Sequence, residues 1–166
     1  MFRVGLLTVS DRSASGDYED LSGPLMAEII ATNTPWQVVK EAVVADTIDA
    51  IVAELEAWIE QDVHLILTSG GTGFSPRDVT PDATRMVIDR EAPGIAETLR
   101  LESLKVTRHA MLSRGIAGMR GRSLIVNLPG NPKAVRENLA VLLPVLPHAL
   151  ELLTGSAGSE AGHRTV

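Results

Sequence analysis

At 166 residues, 45% of them apolar, the chain fits one compact domain with a real core, and this composition speaks against intrinsic disorder. It has no cysteine, which removes disulfides, thiolate metal sites and cysteine nucleophiles, and no apolar run nears the roughly 20 residues that cross a bilayer. A net charge of −6 speaks against a general nucleic-acid binder, because phosphate backbones are held mainly by Lys and Arg.

No signal-peptide pattern opens the chain, so a cytoplasmic protein is expected. The charge is uneven: residues 1–70 carry three basic and twelve acidic side chains, residues 71–166 twelve basic and nine acidic. An anionic ligand would draw its cations from the second half, although solvated surface charge produces the same asymmetry.

In chain order, Arg3–Val9 is an apolar, strand-like run ending at Ser10 and Asp11. A helix is predicted from Pro24 to about Ala31, with Ser22 or Gly23 as N-cap. Trp36–Val44 is again strand-like. Thr47–Glu60 places Ile48, Ile51, Val52, Leu55 and Ile59 on one helical face. Val63–Thr68 is continuously apolar, as in a strand buried on both faces. A Gly-rich loop, Ser69–Asp78, leads to a helix over Pro81–Arg90, and another is predicted over Pro93–Leu104. Ser123–Leu128 is a further buried strand. Pro129-Gly130-Asn131-Pro132 then opens a Leu/Val helix that Pro144 and Pro147 interrupt. The expected domain is residues 1–154, followed by a disordered Gly/Ser/Ala-rich tail.

Strands alternating with helices predict a three-layer α/β/α fold with a mixed, mostly parallel sheet. Such sheets bind ligands at the carboxyl ends of their strands. Ser10-Asp11, Ser69–Gly73 and Pro129–Lys133 each follow a predicted strand, so three distant segments can meet in one crevice.

Four stretches carry chemistry. Thr68-Ser69-Gly70-Gly71-Thr72-Gly73 lets backbone amides approach phosphate oxygens, but an ordinary tight turn uses the same residues. It is no Walker A loop, lacking the Lys-Ser/Thr ending, and no dinucleotide fingerprint, because Pro76 stands where a third glycine would fall. In Ser75-Pro76-Arg77-Asp78, a cation and a carboxylate sit beside the glycines, where phosphate and Mg²⁺ would both need partners; a surface ion pair is the plainer reading. Thr80 and Pro81 read as N-cap and first helical residue, which makes Asp82 a dipole-favoured neighbour. Asp46 reads as an N-cap with Asp49 in a capping-box place, and a cap at a strand exit still faces the crevice. Lys133 falls in the first turn after Asn131 and Pro132, where the helix dipole disfavours a cation, so it is expected to face an anion. No histidine pair has metal-ligand spacing, so each histidine reads as packing or surface. No G-x-S-x-G surrounds Ser10, Ser69 or Ser113. The set suits holding phosphates and Mg²⁺ better than abstracting protons.

Segments 7–20, 67–84, 90–100 and 112–139, with the VVADT stretch around Asp46, resemble the Mog-type molybdopterin-binding family; GGTG…RDVTPDAT followed by NLPGNPK is the specific pair. The resemblance implies a three-layer α/β/α homotrimer that transfers AMP from Mg-ATP to the terminal phosphate of molybdopterin. It makes Asp46 and Asp78 catalytic carboxylates that hold Mg²⁺. It makes Ser10, Asp11, Ser69, Gly70, Gly71, Thr72, Gly73, Ser75, Arg77, Ser113, Arg114, Pro129, Gly130, Asn131, Pro132 and Lys133 contacts to ATP and molybdopterin. A molybdenum-inserting enzyme is the implied partner. Ala45 departs from relatives that often carry Pro before the aspartate. A pterin carrier without catalysis is the alternative that the same fold allows.

Overall fold

Leu65, Ile66 and Leu67 are wholly buried, as a strand covered on both faces requires. They lie in β3 (Leu65–Ser69), flanked by β1 (Arg3–Val9) and β6 (Ser123–Leu128), both parallel to it. β2 (Gln37–Val44) extends the parallel set at one edge. At the other edge β5 (Ala117–Arg120) runs antiparallel to β6, and two-residue β4 (Arg90–Glu91) antiparallel to β5. The order is β2-β1-β3-β6-β5-β4. The computed structural model describes residues 1–156, so the tail expected beyond Thr154 falls outside the described residues from position 157.

Helices cover both faces. α3 (Ile48–Glu60) and α4 (Thr80–Val87) pack through Ile51, Leu55, Trp58, Ala83 and Val87 on Leu7, Val9, Ile66 and Ile125. The opposite face, bearing Val4, Leu6, Leu65, Leu67 and Val126, is covered by α2 (Ser22–Asn33), α5 (Pro93–Leu104), α6 (Pro132–Leu142) and α7 (Leu146–Thr154). Among the described residues no helix is long and apolar enough to cross a membrane.

Several boundaries differ from those read in the sequence. α4 stops at Val87, because Ile88 turns extended and Arg90–Glu91 join the sheet edge. α1 (Asp11–Ala14), a 3-10 turn over Arg108–Leu112 and β5 add short elements that carry no apolar period. Thr80 does not cap α4: its hydroxyl donates to the Gly70 carbonyl at 2.9 Å. Asp46 does not cap α3 either, whose N-cap is Thr47, without a side-chain bond. The Thr80 hydroxyl is used on the Gly-rich loop, and the Asp46 carboxylate on the Asp11 amide.

Candidate active site

The parallel strands β1, β2, β3 and β6 end on the same side of the sheet, and their exit loops converge there. Two aspartates bind the first two exits together. Asp46 Oδ2 accepts from the Asp11 amide at 2.7 Å, and Asp11 Oδ1 accepts from the Asp46 amide at 2.9 Å. Arg77 closes the clasp from the third loop, donating from Nε and Nη2 to Asp11 at 2.9 and 2.8 Å. Its guanidinium holds the Asp11 carboxyl below the usual range. Burial pushes the Asp46 carboxyl up, and the charges of Asp11 and Asp78 add to that rise, partly offset by the Asp11 amide.

The Gly-rich loop sits against this clasp. Gly70 and Gly71 take φ of +94° and +64°, left-handed values that glycine adopts without steric cost. A side chain at Gly71 would collide with Thr80 Oγ1 and stand 3.1 Å from Asp46 Oδ1. One at Gly73 would lie 2.9 Å from Asp78 Oδ2, which itself accepts from the Ser75 amide at 2.9 Å. Asp78 thus leans on the loop through its amide-bonded oxygen, whereas Asp46 is held through Oδ2 by the Asp11 amide and approaches the loop with Oδ1. The other oxygen of each, Asp46 Oδ1 and Asp78 Oδ1, takes no part in those two bonds.

Gly70–Gly73 also forms a partition. Gly70 lines a cavity of about 300 Å³ together with Ser10, Ser69, Gly130, Asn131 and Pro132. Thr72 and Gly73 line another of about 280 Å³ with Ser113 and Pro129. Much of this second wall lies outside the four motif stretches: Arg100, Ser103 and Asn138 line it, as does His109, which reads in the sequence only as packing or surface, whereas Asn127, which also lines it, opens the NLPGNPK stretch. Their polar groups are tied to one another and to the loops. Asn138 Nδ2 donates to Ser103 Oγ at 3.1 Å, and Arg100 Nη1 donates to the Ser113 and Gly115 carbonyls at 3.0 Å each. Helical residues 35 positions apart give no sequence sign that they meet.

Two of the expected ligand contacts are engaged otherwise. The Arg114 guanidinium is used on the protein: Nε donates to Gly73 O at 3.0 Å, Nη2 to Asp78 O at 2.6 Å, and Nη1 and Nη2 to the Asp82 carboxylate at 3.2 and 2.7 Å. Lys133 points outward with its side chain 76% exposed, 3.8 Å from Glu137. The amides of Lys133 and Ala134 are capped by Asn131 Oδ1, so this helix end meets its own needs rather than presenting free donors.

The fold and the site define an α/β protein whose parallel strand ends gather two carboxylates and a glycine loop into one crevice. Residues 5–148 match the family described as a probable molybdopterin binding domain, and the chain belongs to that family. It is 43% identical over 150 residues to the molybdenum cofactor synthesis protein cinnamon of Drosophila melanogaster, with 90% of this chain and 25% of that protein aligned. The chain thus spans about a quarter of that longer relative. It is 42% identical over 156 residues to a molybdopterin adenylyltransferase of Helicobacter pylori, covering 92% of this chain and 88% of that one. The crystal structure of the molybdopterin biosynthesis enzyme MoaB from Thermus thermophilus superposes with a TM-score of 0.88 at 51% identity, covering 94% and 98% of the two chains.

Proposed function

We propose that this protein is a molybdopterin adenylyltransferase, joining AMP from ATP to the terminal phosphate of molybdopterin and releasing pyrophosphate. The observation that carries the reading is the position of Asp46 and Asp78 against a glycine partition between two cavities. The relative of similar length bears that activity in its name.

The cavity walled by Leu99, Leu112, Ser103, Asn127 and Asn138 combines apolar faces with amide and hydroxyl groups, which suits a flat, polar-edged pterin. The cavity at Ser10, Ser69 and Asn131 takes the nucleotide. The phosphates of both then meet at Gly71–Asp78. The nucleophile, a phosphate oxygen, is already anionic at neutral pH, so no general base is required; the site's work is to hold two anions in line.

The donor set fits Mg²⁺. Among the described residues no three acidic or histidine groups cluster as a full metal cage, but Mg²⁺ is commonly held by one or two carboxylates with substrate phosphates and water. Asp46 and Asp78 would hold it through the oxygens their amide partners leave open. When bound, the ion offsets phosphate charge. We further propose that the protein works as a cytoplasmic homotrimer that passes its product to a molybdenum-inserting enzyme.

Incubation with Mg-ATP and molybdopterin is the direct test. Adenylylated pterin with stoichiometric pyrophosphate is expected. Tight pterin binding without product would leave a carrier in its place.

A further inference from the structure

Ser113, extended at φ −68° and ψ 125°, opens the stretch Ser113–Gly115 that leads from the 3-10 turn to β5. Along an extended chain, the peptide groups of successive residues point to opposite sides. An arginine holds each side here. The Ser113 and Gly115 carbonyls accept from one nitrogen, Arg100 Nη1 of α5, at 3.0 Å each. Arg114, between them, faces the other way. Its amide donates to the Thr72 carbonyl at 2.7 Å, and its guanidinium to the carbonyls of Gly73 and Asp78.

The two arginines therefore stand in series. Arg100 rests on a fixed base: its neighbour Leu99 is buried in the core, and Ser103, one turn on, ties α5 to α6 through Asn138 at 3.1 Å. From that base Arg100 holds the stretch that carries Arg114, and Arg114 holds the loop that carries Asp78. Bonds from a guanidinium are charge-assisted and stronger than those between neutral groups, so both links of the series are stiff.

Two plainer roles compete. Arg100 lines the cavity assigned to the pterin, where a cation could touch the ligand, and a bond across two elements could serve stability alone. The geometry speaks for a clamp. Both N–H groups of Nη1 are spent on carbonyls two residues apart, which fixes the residue between them, Arg114, and gives a ligand nothing from that nitrogen.

We propose that Arg100 is a positioning residue that sets Asp78 through the Ser113–Gly115 stretch and Arg114, without itself touching the reacting phosphates. The proposal rests on the adenylyltransferase reading, in which Asp78 serves the reaction. Clamps in series lose their effect together. Once Arg114→Ala has released the loop, removing Arg100 should slow the enzyme no further, whereas independent sites would multiply their losses.

The test compares wild type, Arg100→Met, Arg114→Ala and the double variant by adenylylation kinetics, pterin fluorescence titration and thermal unfolding. Methionine keeps the apolar stem and removes the donors. In Arg100→Met, kcat should fall about tenfold, as for a displaced reacting group, with pterin affinity unchanged, and the double variant should match the slower single one. Arg100→Lys, whose one ammonium can serve both carbonyls, should regain part of the turnover. A normal kcat with a lowered unfolding midpoint would make Arg100 a brace of α5 and overturn the proposal. So would a pterin affinity that falls with kcat, losses that multiply in the double variant, or a lysine variant no faster than the methionine one. A wild type that forms no adenylylated pterin would instead remove the reading beneath it.

Discussion

Asp11 and Asp46 hold each other by the backbone: each carboxylate accepts the other's amide, at 2.7 and 2.9 Å. This reciprocal pair joins the exits of β1 and β2 and fixes the direction of the Asp46 carboxylate. Asp11 thereby acts through Asp46, and through Arg77, which it holds by two bonds. Asp11→Ala should lower kcat roughly 10- to 100-fold by misplacing Asp46, with molybdopterin affinity kept. Steady-state kinetics beside a pterin fluorescence titration would separate the two, and unchanged kcat would show that Asp46 holds its place without the clasp.

Asp78 is positioned by its own loop, through the Ser75 amide. Asp78→Asn keeps an acceptor for that amide and removes the charge. Turnover should fall about 10²–10³-fold, the usual scale for one lost electrostatic contact to a transition state, and pterin binding should persist. Normal adenylylation by the folded variant would remove Asp78 from the chemistry.

The pH dependence follows from Asp46. Its folded pKa is raised by burial, and its role requires the ionised form. As pH falls, kcat should drop along an acid limb lying above the ordinary carboxylate range. Stability runs the other way. The native state binds this proton more tightly than the unfolded chain, so stability falls as pH rises through the window between the two pKa values. Asp46→Asn should therefore abolish the acid limb with most of the activity, and should unfold no earlier than the wild type near pH 7. A wild-type acid limb within the ordinary carboxylate range would contradict the buried, ionised role.

Much of this site is legible in the sequence because strand exits are marked by abrupt changes of residue type. The apolar run before Ser69 and the SLIVNL run before Pro129 place two loops at one end of the sheet, where the structure has them. Long-range pairing stays hidden. Arg114 reads as a ligand contact by resemblance, yet two of its acceptors are backbone carbonyls of Gly73 and Asp78, and a carbonyl has no sequence signature. Lys133 reads as an anion contact from an unfavourable helix-end position, but Glu137 four residues on offers it a local partner. Asp46 reads as a cap because a strand exit followed by a helix looks the same whether the side chain turns to the helix or across to Asp11.

The Arg114–Asp82 pair should act as a staple of the Gly73–Asp78 loop. Arg114 holds the Asp82 carboxyl below its usual range. A depressed carboxylate adds stability above its unfolded pKa and loses it as pH falls through the folded one. Arg114→Ala should lower the unfolding midpoint at neutral pH, remove that share of the acid sensitivity, and reduce kcat by loosening Asp78. Arg114→Lys should recover little, because one ammonium cannot reproduce a fork that serves two carbonyls and a carboxylate. Full rescue by lysine would show that charge alone matters here. Thermal unfolding across pH, run beside turnover, distinguishes these outcomes.

Gly71 offers the sharpest separation of backbone from side-chain effects. Alanine there must adopt a left-handed φ of +64°, at a cost of roughly 1–2 kcal/mol, and its methyl must displace Thr80 Oγ1. That hydroxyl holds the Gly70 carbonyl, and the Thr80 amide holds the Gly71 carbonyl at 3.0 Å, so the partition between the cavities shifts as one piece. Gly71→Ala should therefore lose both stability and turnover. Thr80→Ser in the same background leaves the hydroxyl in place and should restore neither, whereas Thr80→Ala removes the clash and should return part of the stability without the turnover. If Gly71→Ala alone were as active as the wild type, the close approach of Asp46 to the loop would have no part in catalysis.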